Sequence, residues 1–272
     1  MPIPDLHSFH APLLAFAVAL VLAGAARFLR VGFLAAAAGG AGMLAGWYAI
    51  TGVLWVVAPR ISIDDLTVIA AAALLIGLVV GRLAEGSAGT VGGLVAALFT
   101  GWWLMGAPRH LAGLRAGWPV GLGTTLATLL LIRLSSKGAQ QPLLALLAGL
   151  TLAASLYVAG VQPVWLQLAL VPALVALAMC VLPAMTGLAA LPVAAGIAAL
   201  SCLVVLAVGR LPRRGIAAVD IAAASPFLAL WLAPRVTQRV GFTGRAAPLA
   251  AGVLSGAVSV GLTWATRAVL RH

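Results

Sequence analysis

Long apolar stretches, interrupted at intervals by one or two arginines, prolines or glycines, run almost from one end of the chain to the other. Ten of them reach 15 residues or more, near 11–26, 31–57, 65–81, 88–106, 118–132, 142–160, 163–182, 190–209, 216–233 and 248–266. Runs of this length match the thickness of a bilayer's hydrocarbon layer. Inside hydrocarbon each backbone N–H and C=O must find its partner within the protein, and a bacterial barrel would show short alternating strands instead of continuous runs. The pattern therefore predicts an all-α fold: a polytopic transmembrane helical bundle of about 10 helices, one integral membrane domain over residues 1–272, with no soluble domain.

Local chemistry marks the boundaries. Pro12, Pro119, Pro142, Pro163, Pro192 and Pro248 stand at or near the first residue of a run, where a missing N–H costs nothing. Ser62 and Asp65 have the spacing of a capping box at a helix start. Three runs end alike, in VLWVVAPR, WWLMGAPR and LALWLAPR. Nothing around the tripeptides recurs at a fixed period, so the plain reading is a Trp anchored at the interface, a Pro that stops the helix and an Arg in the headgroups. The stretch 163–209 contains Pro172, Pro183 and Pro192. Two full crossings joined by a turn at PAMTG are expected there; a single crossing with a re-entrant segment, nine in all, is the alternative.

Composition agrees with the pattern. Hydrophobic residues make up 64% of the 272 and charged ones only 8%, against roughly 45–50% and about 25% in ordinary soluble domains. The net charge of +11 lies almost wholly in the gaps between runs. It forms no polar face that could follow a phosphate backbone, so nucleic acid is excluded and anionic lipid headgroups are the expected partners of the Arg-rich loops. The opening MPIPDLHSFH lacks the positive region of a secretory signal, and the first helix is read as retained. The Ala, Leu, Gly and Arg-rich style points to a bacterial inner membrane. Arg27 and Arg30 after the first helix argue for a periplasmic N-terminus. With ten crossings the two sides nevertheless carry eight basic residues each, and the nine-crossing alternative gives ten against six.

Chemistry-bearing groups are few. Cys180 and Cys202 lie inside apolar runs and suggest neither a disulfide framework nor a metal knuckle. His7, His10, His110 and His272 all fall outside the runs, which argues against a buried haem, and Asp5 with His7 and His10 lacks a further metal ligand. No nucleophile and base, zinc signature or carboxylate pair can be assembled, so no cofactor and no enzyme activity are expected. GRLAEGSAGTVGG lacks the Gly-Lys-Ser/Thr end of a nucleotide loop. Asp64 and Asp65 read as helix-start residues.

The one acid inside a run is Asp220, about five residues past Gly215, hence roughly 7–8 Å of helix rise from the basic loop. It can turn back toward its helix N-terminus and Arg213 or Arg214, or serve as a proton or cation relay facing a polar cavity. Ser225 and Pro226 on the same run favour the relay by freeing backbone carbonyls. Thr124 and Thr128 share one helical face within a cluster that includes Thr125. Hydroxyls also recur at Thr51, Thr100, Thr151, Ser155, Thr186, Ser201, Ser259 and Thr263. They bond to their own or a neighbouring helix, or line a mildly polar pathway. Glycine pairs four apart, Gly42/Gly46, Gly77/Gly81, Gly89/Gly93, Gly117/Gly121 and Gly252/Gly256, mark faces where helices pack closely.

Ten helices in 272 residues is similar in size to small drug and metabolite permeases built from two five-helix halves, a likeness of architecture unaccompanied by motif or internal repeat. The expected function is a small-solute permease or exporter of a weakly polar substrate, with Asp220, Ser225, Thr124 and Thr128 as candidate ion-coupling or substrate residues. The alternative is a non-transporting membrane subunit, a scaffold or assembly partner of an envelope complex, in which a homo-oligomer or a membrane partner is implied. A membrane-embedded lipid-modifying enzyme ranks third.

Overall fold

The computed structural model describes residues 9–54, 65–80, 141–186 and 246–269, scattered positions between 91 and 125, and Ala222, Ser225 and 239–241. These residues are helical, with no strand among them. Six helices are described: α1 (His10–Phe28), α2 (Gly32–Thr51), α3 (Asp65–Val80), α4 (Gln141–Ala159), α5 (Pro163–Thr186) and α6 (Ala246–Val269). Their starts fall within two residues of the expected run starts, and Pro163 opens α5 as its missing N–H predicts. Three helices among the described residues are long and apolar enough to cross a membrane, within His10–Phe28, Pro163–Val181 and Leu249–Val269. Three more of the expected runs are occupied by α2, α3 and α4, and the others lie wholly or partly outside the described residues.

The helices are turned for a hydrocarbon solvent. On α1 the inward face is Ala11, Ala15, Ala19, Ala23 and Ala26, whereas Leu13, Leu14, Val21 and Leu22 point out. On α6 the inward face carries Ser255, Ser259 and Thr263, while Val253, Leu262 and Trp264 are exposed. Water would drive the larger apolar side chains inward; lipid leaves small residues free to bring backbones together. This is the helical membrane class of protein that the composition anticipates.

Two run ends differ from expectation. The second run continues apolar to residue 57, yet α2 stops at Thr51. Gly52 takes a left-handed conformation (φ 69°) and donates its N–H to Tyr48 O at 2.8 Å. The Thr51 hydroxyl donates to Trp47 O and accepts the Val53 N–H at 3.2 Å, so glycine and threonine together satisfy the end. In α5 the helix passes through both Pro172 and Pro183 to Thr186, so the turn expected at PAMTG does not begin at Pro183. Residues 187–221 lie outside the described part of the chain.

The core is knit around α5, the most enclosed of the three spans, with 56% of its window buried against 33% in α1 and 28% in α6. A Cβ added to Gly42 would stand 2.7 Å from Ala15 O, 2.8 Å from Ala19 Cβ and 3.0 Å from Val175. One added to Gly46 would stand 2.7 Å from Ala15 Cβ and 2.9 Å from Val171. The glycine pair is thus the close-packing face that its spacing predicts. It also fixes direction: α1 runs parallel to α5, and α2 antiparallel to both. Gly149 against Ala173 makes α4 and α5 an antiparallel hairpin.

Pro172 shows how the core tolerates a break. Without an N–H it cannot reach back to Leu168 O, and an unpaired carbonyl in a dry interior is costly. The fully buried Trp47 supplies the missing donor, its Nε1 lying 3.3 Å from Leu168 O. One hydrogen bond joins α2 to α5 across 121 residues.

The two hairpins are alike in the spacing of their helices and in the bonds of their turns. His10 and Gln141, and Gly32 and Pro163, are each 131 residues apart, and both hairpins turn through three residues. Pro12-Leu13-Leu14-Ala15 returns as Pro142-Leu143-Leu144-Ala145. The left-handed residue at each turn is Arg30 (φ 57°) and Gly160 (φ 76°). Each turn closes with the same pair of bonds, Arg30 N to Arg27 O with Val31 N to Ala26 O, and Gly160 N to Tyr157 O with Val161 N to Leu156 O. A likeness that the Ala-Pro-Arg tripeptides do not reveal therefore lies in the hairpins, whose helix starts are 131 residues apart and whose shared tetrapeptide, left-handed residue and turn bonds are 130 apart. Since α1 runs with α5 and α4 against it, the two hairpins are oppositely oriented.

Candidate functional site

Asp220, Thr124 and Thr128 lie outside the described residues. Ser225 is helical and 5% exposed, on one face with the buried Ala222, and its hydroxyl has no hydrogen-bond partner. Thr125, beside the predicted pair, donates to Ala97 O at 3.3 Å and lies against Gly101, which is the cross-helix packing bond expected of most hydroxyls here. Trp55 and Trp231 lie outside the described residues. Of the two tryptophans of WWLMGAPR, Trp102 is exposed, while Trp103 is 7% exposed and stacked on Phe99 with ring centroids 5.9 Å apart.

Buried hydroxyls recur along α4 and α6, Thr151 and Ser155 on the first and Ser255, Ser259 and Thr263 on the second. Gly252 is pressed against Leu147, and a Cβ on Gly256 would meet Thr151 Oγ1 at 3.5 Å. At the far end the Arg267 guanidinium donates to Val158 O and covers Gly160. These three levels make α4 and α6 parallel along one seam. Leu147, Thr151, Ser155 and Val158 recur on a single stripe of α4, and Gly252, Gly256, Ser259 and Thr263 on a single stripe of α6. The seam is crowded at Leu147 and looser at Gly256.

Its polar groups are unequally satisfied. Thr263 donates to Ser259 O at 2.8 Å along its own helix. Ser155, Ser255 and Ser259 are at most 1% exposed, and none of the three hydroxyls has a hydrogen-bond partner. A buried hydroxyl left unpaired costs about 1–3 kcal/mol, so three together are a departure from the usual economy of an interior. Arg267 closes the seam with chemistry suited to a helix end: its charge meets the carbonyl end of the α4 dipole. Sequence alone singles out Thr151, Ser155, Ser259 and Thr263 but misses Ser255, whose signal is its position four residues before Ser259. No group of three His, Cys, Asp or Glu side chains among the described residues is arranged to hold a metal ion.

No protein-family model matches the chain, and comparisons with characterised proteins and with solved structures return no similar protein.

Proposed function

We propose that the protein is a bacterial inner-membrane permease or exporter of a small, weakly polar solute, built from two oppositely oriented halves of five crossings with a periplasmic N-terminus. The observation that carries this reading is the inward hydroxyl seam of α4 and α6 beside two similar hairpins of opposite orientation. Inverted repeats flank the substrate sites of many secondary transporters. Helix directions support ten crossings over nine. Because α4 and α6 are parallel and α5 antiparallel to them, the chain between α5 and α6 leaves and returns on one side of the bundle, which requires an even number of crossings. The re-entrant alternative leaves an odd number.

The test is flux and access. Purified protein in vesicles should carry a weakly polar solute, and a cysteine at Ala224 or Ser225, with Cys180 and Cys202 replaced, should react with a soluble thiol reagent. Asp220→Asn should abolish proton-linked flux at unchanged expression; unchanged flux removes Asp220 from coupling. The scaffold reading is favoured by one feature, the dry alanine and glycine packing of α1, α2 and α5. It predicts a sealed Ser225, no flux, and a membrane partner that co-purifies in mild detergent.

A further inference from the structure

We infer that the α4–α6 seam is a binding site for an uncharged solute bearing several hydrogen-bonding groups, a small polyol or amide, held by Ser155, Ser255 and Ser259. Such a site rests on the permease reading and narrows it to a substrate class. Two observations converge. The three hydroxyls are almost fully enclosed and lack partners, so the protein brings both donor and acceptor capacity to the seam and spends neither on itself. The seam is closed by Leu147 on Gly252 at one end and by Arg267 over Gly160 at the other, and it loosens between, where a Cβ on Gly256 would meet the Thr151 hydroxyl at 3.5 Å, an ordinary contact.

The seam's own groups select the occupant. No acid or base other than Arg267 lies on the two stripes, and Arg267 gives its N–H to the end of α4. A charged solute would have no counter-charge among the serines, whereas hydroxyl and amide groups can donate and accept with each of them. A purely apolar solute would leave the three hydroxyls unpaired. A binding seam differs from ordinary small-residue packing in one respect: packing needs serine only for its size, and binding needs its oxygen.

The experiment uses the full chain in vesicles with glycerol and urea as probes, read by light scattering after an osmotic step. Ser255→Ala with Ser259→Ala should lower the protein-dependent glycerol and urea flux at least tenfold at unchanged thermal stability, and Ser259→Thr should restore part of it. In a background with Cys180 and Cys202 replaced, Ser259→Cys should react with a small soluble methanethiosulfonate, and glycerol should slow that reaction. A reactive cysteine at Ser225 with an inert one at Ser259 overturns the seam site and leaves the permease standing. Inert cysteines at both overturn both readings. Full flux in the double alanine variant also overturns the seam site, because size alone then suffices.

Discussion

The α1–α2–α5 core and the α4–α6 seam are built from the same small residues and reach different ends. In the core, Gly42 and Gly46 admit Ala15, Ala19 and Val171 so closely that no added atom fits, and the carbonyl stranded by Pro172 is met by Trp47. In the seam the glycines alternate with serines, a Cβ on Gly256 would make only an ordinary contact with Thr151, and three hydroxyls are left without partners. Small residues thus serve adhesion in one place and leave capacity for a ligand in the other. What separates them is whether each polar group is already answered.

The sharpest break of this comparison is a pair of substitutions on the two glycine faces. Gly46→Val puts branched carbons where a Cβ alone would be 2.7 Å from Ala15, and overpacking of this kind costs about 3 kcal/mol or more; most of the variant should be lost from the folded, detergent-soluble fraction. Gly256→Ala, with its nearest neighbour at 3.5 Å, should melt within about 2 °C of the parent, a shift worth less than ~1 kcal/mol at this size. Equal losses at the two sites would erase the distinction.

Next in size is a double-mutant cycle through the core. Trp47→Phe keeps most of the ring but leaves Leu168 O without its donor, at a cost of about 1–3 kcal/mol. In a Pro172→Ala background the restored backbone N–H can serve Leu168 O, so the same change should cost about 1 kcal/mol less there. Additive losses would mean that Trp47 matters only for its volume. In the seam the expectation is reversed: Ser255→Ala with Ser259→Ala removes buried hydroxyls that have no partner, and denaturation should show stability unchanged or raised by up to about 1 kcal/mol. The smallest effect is at the first hairpin turn. Arg30 holds φ 57° where its counterpart is Gly160, so Arg30→Gly should stabilise the hairpin by about 0.5–1 kcal/mol.

Much of the helical layout was legible because membrane helices announce themselves by length and by proline at their starts, as Pro163 and Pro142 illustrate. The early end of α2 was less legible, since Val53 and Leu54 continue the apolar run and only the Thr51-Gly52 pair carries the stop. Continuation of α5 through Pro172 and Pro183 runs against the rule that proline breaks helices; at Pro172 the reason is visible, a donor borrowed from Trp47. Trp47 could not be assigned from sequence, because its partner is 121 residues away. The hydroxyls of the seam were visible one by one, and their convergence was not, as it depends on α4 and α6 lying side by side. The likeness of the hairpins escaped because it resides in helix starts and turn conformations more than in side-chain identity.

The Trp47–Leu168 bond also sets a clock. A ribosome adding 5–20 residues per second needs about 6–24 s to make the 121 residues that part donor from acceptor. Throughout that interval the indole N–H lacks its native acceptor, and the interlocking of Ala15 and Ala19 with Gly42 and Gly46 is the contact already available to hold α1 and α2 together. The first hairpin is thereby a stand-alone waiting platform, and the arrival of α5 is the moment at which the two halves of the polypeptide are fastened to one another.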